Sequence, residues 1–244
     1  MIKRVLFYVA FFTLLIAAFL FFVFKDEDLT KSLLPVLNEN VQDFSFINQD
    51  GKKITQDDVD GKVYVTEYFF TTCKGICPKM NANMRRVFDK FKDEPGFLIL
   101  SHTCMPETDS VPLLKAYEAK MINGKLEKNE DGSYNIFYDS ANNKQQPVVN
   151  PNWDFVTGDK DALYKMARQS YLIDNNKPDS TQNINEQFIH TQFFALVDKQ
   201  RRVRGIYDGL VEDDMQKLFK DIKGLLKEKV TSKHFMNGFS SNPN

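Results

Sequence analysis

The chain has 244 residues, 42% of them hydrophobic and 27% charged, enough apolar content for one well-filled domain with an appendage. Lys+Arg number 32 against 33 Asp+Glu, a formal net charge of -1, which leaves no electrostatic footprint for nucleic acid and excludes it as an expected partner. Three cysteines in a chain of this length also exclude a small disulfide scaffold, which would be cysteine-dense.

The N-terminus is different in kind from the rest. After Met-Ile-Lys-Arg, the run Val5 to Phe24 carries no charge. A helix rising ~1.5 Å per residue over that run covers the ~30 Å hydrocarbon core of a bilayer. Lys3 and Arg4 precede it and K-D-E-D (25–28) follows, so the positive-inside tendency holds the N-terminus in the cytoplasm and sends the remainder across. A cleaved signal peptide is the competing reading, but the run is long for one and no small-residue site closes it. No cysteine near its end invites lipid attachment, and the Arg- and Ser-rich character of an organelle transit peptide is missing. The expectation is a membrane anchor at 1–25, touching lipid through 5–24, and a polar tether at 26–40. That places the protein at a bacterial inner (cytoplasmic) membrane with its domain on the periplasmic side. In that space an odd number of cysteines leaves one thiol over from any single disulfide.

The domain is expected over 41–228. It opens with DFSFINQDGKKI (43–54), whose alternating apolar positions around Q-D-G predict a hairpin. KVYVTEYFF (62–70) is rich in β-branched and aromatic residues and predicts a buried strand. A helix follows from Cys77, with Met80, Met84, Val87, Phe88 and Phe91 at helical spacing and Pro78 suited to its first turn. GFLILSH (96–102) predicts a second buried strand and 110–121 a helix. The polar, Asn- and Lys-rich stretch at about 122–152 reads as an excursion, a long loop or small hairpin on the surface. Order resumes at WDFVTG (153–158), with a helix over 159–171. QFFALVD (192–198), a turn at KQRR and VRGIY (203–207) predict a strand pair, and 213–227 a closing amphipathic helix with acids first and lysines last. Residues 229–244 read as a flexible tail. Strand–helix–strand–helix followed by a hairpin and a last helix is an α/β, thioredoxin-like arrangement.

Chemistry concentrates in YFFTTCKGICPKM (68–80). With Cys73 closing a loop and Cys77 in the first helical turn, both thiols can face one side, and the helix N-terminus favours thiolate. A disulfide needs Cβ atoms ~3.5–4.5 Å apart, whereas helical neighbours at this spacing lie ~5–6 Å apart. A metal ~2.3 Å from each sulfur, on the zinc–thiolate scale, tolerates the wider span. The spacing leans toward a metal and leaves a redox pair or a structural disulfide open. Two thiolates bind Cu(I), and a third ligand would hold the metal through a change of oxidation state, most naturally a histidine. Of His102, His190 and His234, the last lies in the tail. His190 precedes the hairpin strand, in a loop that a thioredoxin-like sheet brings beside the cysteines, although a lone histidine is more often a hydrogen-bonding residue of the scaffold. Met80 and Met84 read as core rather than thioether ligands, and Arg201, Arg202 and Arg204 as a solvated hairpin face or a docking face for an acidic partner.

Taken together, FFTTCKGICPKM (69–80), WDFVTGD (153–159) and IHTQFFALVDKQRRVRGIYDG (189–209), behind a membrane anchor, resemble the SCO (SenC) family over roughly 41–227. Members are copper-binding thioredoxin-fold proteins that help to build the binuclear copper site of cytochrome c oxidase. The resemblance implies Cys73, Cys77 and His190 as ligands for Cu(I), and for Cu(II) in an oxidised state. It implies a metallochaperone, with the copper-accepting subunit of cytochrome c oxidase as partner. The chain departs from the family's C-P-D-x-C-P by carrying Lys74-Gly75-Ile76 between its cysteines. It also carries SHTCMPETD (101–109) where the family tends to an acidic residue before proline. Cys104 and His102 therefore fall at a strand end where α/β sites gather. Cys104 is either a thiol near the ligands, able to form a mixed disulfide or to receive copper briefly, or a buried small hydrophobe. His102 is either a residue close behind the ligands or a structural residue of the strand end.

Whether the chain is an enzyme stays open. The alternative to the chaperone is a thiol–disulfide oxidoreductase that uses Cys73 and Cys77 as a redox-active pair to reduce the acceptor's cysteines, with Cys73 attacking. A peroxiredoxin-type peroxidase lacks its P-x-x-x-[ST]-x-x-C pattern. Zinc would accept the same ligands, and only the resemblance argues for copper.

Overall fold

The computed structural model of the protein describes residues 2–24, 34–140, 146–174 and 191–229. The uncharged N-terminal run forms one helix, α1 (Ile2–Phe24), as a unit apart from the domain that begins at about Ser32. The side chains described within α1 are exposed, and among the described residues no helix is long and apolar enough to cross a membrane. The helix is nonetheless 23 residues long, about 34 Å at the usual rise.

The domain opens, as the alternation predicts, with a hairpin of β1 (Ser45–Asn48) and β2 (Lys53–Thr55), Phe46 opposite Ile54. Gly51 supplies the positive φ of +73° that its turn requires. A short α2 (Gln56–Val59) leads to β3 (Val63–Phe69), all seven residues of which are buried. α3 (Cys77–Phe91) follows the cysteine loop, then β4 (Phe97–Thr103) and α4 (Val111–Asn123). The excursion is a small surface hairpin of β5 (Lys125–Lys128) and β6 (Tyr134–Phe137). β7 (Trp153–Thr157) returns to the main sheet. α5 (Lys160–Lys165), capped by the Asp159 carboxylate on the Ala162 N–H, runs into a π turn at Met166–Ser170 where the sequence predicts an unbroken helix. The closing pair is β8 (Phe193–Val197) and β9 (Val203–Asp208), followed by α6 (Glu212–Lys227).

Seven strands form one mixed sheet in the order β2-β1-β7-β4-β3-β8-β9, with β3, β4 and β7 parallel and β8 antiparallel to β3. One apolar layer lies beneath α3, α4 and α6 and includes Val65, Phe69, Met84, Phe88, Trp153 and Ile222. The other lies beneath α2, α5 and the π turn and includes Tyr64, Tyr68, Leu100, Leu163 and Ala167. Met80 and Met84 are fully buried, as the core reading has it. The last part of the expected tether is instead fixed to the domain. Arg204, 3% exposed, donates to the carbonyls of Leu34 and Pro35, and Asn38 pairs with Val203. Arg204 also binds Asp198 and Glu228 and so belongs to the core rather than to a solvated face.

Candidate metal and thiol site

A parallel sheet delivers its strand ends to one edge, and here β3 and β4 finish side by side, Phe69 opposite Thr103. Beyond them Cys104 donates its N–H to the Phe69 carbonyl (2.9 Å). Asp109, fully buried, ties the two ends together. It accepts from Thr71 Oγ1 (2.6 Å), from the Thr71 N–H (3.2 Å) and from Thr103 Oγ1 (2.5 Å). The loop that carries Cys73 is thus anchored just before it turns, and the Cys73 N–H closes on the Phe70 carbonyl (3.2 Å).

Cys77 opens α3 with Pro78 in its first turn, and no side chain caps that N-terminus. Both thiols are free, Cys73 half-buried and Cys77 6% exposed, and they lie within electrostatic reach of one another. Burial, and then the neighbouring Cys73 thiol, push the Cys77 thiol far up from its ordinary value. This corrects the expectation that the helix N-terminus would favour thiolate at both positions. At Cys77 desolvation of the charged form outweighs the helix end. A soft cation or an electrophilic sulfur must displace that proton to engage Cys77.

Cys104 is 1% exposed, and burial followed by the Asp109 charge pushes its thiol up to about 12. It lies within electrostatic reach of Cys73 and Cys77. His102 is placed differently. It faces the layer away from Cys77, stacked on Tyr68 (4.9 Å between centroids, 13°) and edge-on to Phe46, with Nδ1 3.0 Å from Thr66 Oγ1. Burial drives its imidazole down to about 3, so it is neutral. His190 and His234 lie outside the described residues. Thr191 begins the approach to β8, whose register with β3 sets Ala195 opposite Thr66 and, continued, brings Thr191 level with Phe70 at the site edge. Among the described residues no group of three Cys, His, Asp or Glu side chains is poised around one point.

The sequence reading passed over a second buried group. Glu67, on β3 and 0% exposed, lies on the strand face that serves the α3 layer. Its Oε1 accepts from Ser101 Oγ (2.8 Å), which in turn accepts from Trp153 Nε1 (2.9 Å). Its Oε2 has no hydrogen-bond partner among the described residues. Burial pushes this carboxyl up to about 8, against a smaller opposing effect of Ser101. The Tyr117 hydroxyl, which takes a hydrogen bond from Asn81 one turn beyond Cys77, lies within electrostatic reach of both Glu67 and Cys77. A glutamate inside the otherwise uncharged VYVTEYFF was the available signal. Nothing local marked Asp109.

The sequence profile of the SCO1/SenC family matches residues 36–126 and 142–227, well over half of the chain. The chain belongs to the SCO1/SenC family. The SCO1 protein homolog of Bacillus subtilis (strain 168) is 29% identical over 189 residues, spanning 77% of this chain and 83% of the relative. The solved structure of BsSco, described as a member of the Sco family of cytochrome c oxidase assembly proteins with a disulfide switch, is similar at a TM-score of 0.57 and 28% identity. That likeness covers 81% of this chain and 99% of BsSco. Arabidopsis thaliana ScoI, solved with copper bound, shares the fold at a TM-score of 0.51 and 19% identity, over 75% of this chain and 97% of that one. The thioredoxin-like arrangement expected from the sequence is therefore that of the SCO1/SenC family.

Proposed function

We propose that this SCO1/SenC protein is a membrane-tethered copper carrier for cytochrome c oxidase assembly. In this reading Cys73, Cys77 and His190 hold Cu(I), and Cu(II) in an oxidised state. The carrying observation is the pair of free, neighbouring thiols, within electrostatic reach of one another at the junction of β3 and α3, in a chain of this family. Two free thiols at one loop–helix junction suit a soft, thiophilic cation, and Cys73 stays accessible for ligand exchange. In this reading His190 supplies the nitrogen. Each thiol that binds gives up a proton, so copper uptake strengthens with rising pH. The cargo is passed by exchange of cysteine ligands with the copper-accepting subunit of the oxidase. Residues 5–24 serve as the anchor in a bacterial inner membrane, with the domain on the periplasmic side.

The test is an anaerobic Cu(I) titration of the reduced protein, read by X-ray absorption. One copper with two sulfurs and one nitrogen, the nitrogen lost in His190→Ala, is expected. No retained copper would overturn the carrier.

A second reading is favoured by the same pair of neighbouring thiols. Cys73 and Cys77 act as a thiol–disulfide oxidoreductase that reduces the acceptor's cysteines. Cys73 attacks the acceptor disulfide, and Cys77 displaces the reduced acceptor and closes the pair. Ready cycling against a dithiol without copper retention would make this the principal role.

A further inference from the structure

The family profile passes over residues 127–141, yet the stretch 127–137 is built as strands and a turn. β5 and β6 pair in register, Leu126 opposite Ile136 and Lys128 opposite Tyr134. A lone two-stranded hairpin is marginal in water, so its position is set by what it packs on. Ile136 packs against the α3-side core. It can approach because Gly124 has no Cβ, which would sit 2.3 Å from Ile136 Cγ2. The Arg86 guanidinium lies 4.2 Å over the Tyr134 ring and at the same time makes two 2.7 Å bonds to the Glu212 carboxylate on α6. These contacts lay the hairpin along α3, and its tip meets the site end of that helix, where Asp131 pairs with Lys79 at 3.7 Å.

Lys79 is two residues beyond Cys77. One helical step, one lysine side chain and that gap put the tip within about 15 Å of Cys77. A standard protein interface covers about 800 Å² on each partner, a patch roughly 30 Å across. A protein that brings its own ligands to a metal on Cys73 and Cys77, at bond lengths of about 2.3 Å, has that patch centred on the cysteines, and the hairpin tip then falls inside it.

We propose that the β5–β6 hairpin is part of the docking surface for the thiol-bearing protein that exchanges ligands with Cys73 and Cys77. It acts as a rim that selects which acceptor can approach from the α3 side. This inference rests on the proposed function for its partner. Glu130 and Asp131, both exposed at the apex, bias the choice toward an acceptor with a basic rim.

The experiment uses the full chain in detergent and the soluble copper domain of the same organism's oxidase subunit. In one variant a Gly-Ser-Gly turn replaces residues 127–137, all of which the family profile passes over. A second, Glu130→Lys with Asp131→Lys, preserves the hairpin. Copper binding is measured first, then transfer to the acceptor, and in parallel the yield of mixed disulfide between Cys73 and the acceptor in a Cys77→Ser background. The hairpin replacement is expected to keep copper affinity within twofold while slowing transfer and lowering the mixed-disulfide yield about tenfold. The charge reversal should slow transfer several-fold at low salt, and much less at high salt. Transfer and yield equal to the parent in both variants would overturn the inference. A parent that holds no copper but forms the mixed disulfide in a hairpin-dependent way would sink the carrier and uphold this docking surface. A parent that exchanges with the domain by neither route would overturn both.

Discussion

Glu67 and His102 tie folding to pH with opposite signs. The Glu67 carboxyl is raised from 4.5 to about 8 in the folded protein, so the native state holds a proton that the unfolded chain releases above about 4.5. Stability therefore falls with rising pH across that window, by up to about 1.4 kcal/mol per pH unit. His102 is lowered from 6.5 to about 3, so its contribution is present above 6.5 and is lost as pH falls toward 3. The two slopes offset one another between about 4.5 and 6.5, leaving a decline from 6.5 to 8 that belongs to Glu67. Glu67→Gln should remove that decline in urea denaturation measured at pH 6.5 and pH 8; an unchanged slope would rule out a protonated Glu67. Asp109 makes a different prediction at this scale. Asp109→Ala strands two hydroxyls and one N–H in the interior, which costs about 2–4 kcal/mol and frees the loop that holds Cys73. The denaturation midpoint checks the first effect, and faster amide exchange at 71–75 the second. Cys104, with its thiol near 12, should resist alkylation in the folded protein under conditions where Cys73 reacts. Equal labelling of the two would show the site to be more open than its burial implies.

Among the elements, the cysteine loop and α3 were legible because their signals are local. A β-branched strand, Pro78 in a first turn and apolar spacing at Met80, Met84, Val87 and Phe91 need no knowledge of the rest of the chain. The excursion was legible only as polar and surface-bound. Tyr134 carries no pattern that announces its docking on α3, because the partner side chain, Arg86, is 48 residues away in the chain. The π turn at Met166–Ser170 was hidden for a related reason, since its residues are good helix formers and the extra residue in the turn is a response to packing. Residues 34–40 read as tether because Leu34 and Pro35 contribute carbonyl oxygens rather than side chains to the Arg204 cluster. The hairpin's dependence on its contacts can be measured. Ile136→Ala should cost about 1 kcal/mol or more locally, abolish hydrogen-exchange protection over 125–137 and leave the seven-stranded sheet protected. Loss of protection throughout would mean that the hairpin is a structural member of the core.

For the whole molecule, one apolar helix and one two-layered domain divide the work. The anchor reading expects the full chain to stay with bacterial membranes through an alkaline carbonate wash and to leave them when residues 1–25 are removed. Release of the intact chain by the wash would overturn it. The domain itself has its chemistry at one edge, where the parallel strands end, and its structural ion cluster, Arg204 with Asp198 and Glu228, on the outer β9 strand.

Trp153 is the chain's single tryptophan, and it donates to Ser101, the side chain that also holds Glu67. Its indole is stacked on Phe155, which in turn meets Phe69, four residues ahead of Cys73. The protein therefore carries a built-in optical gauge in the layer beneath its thiols. The intensity of its ultraviolet emission should change with a midpoint near pH 8 as Glu67 ionises, and that step should vanish in Glu67→Gln.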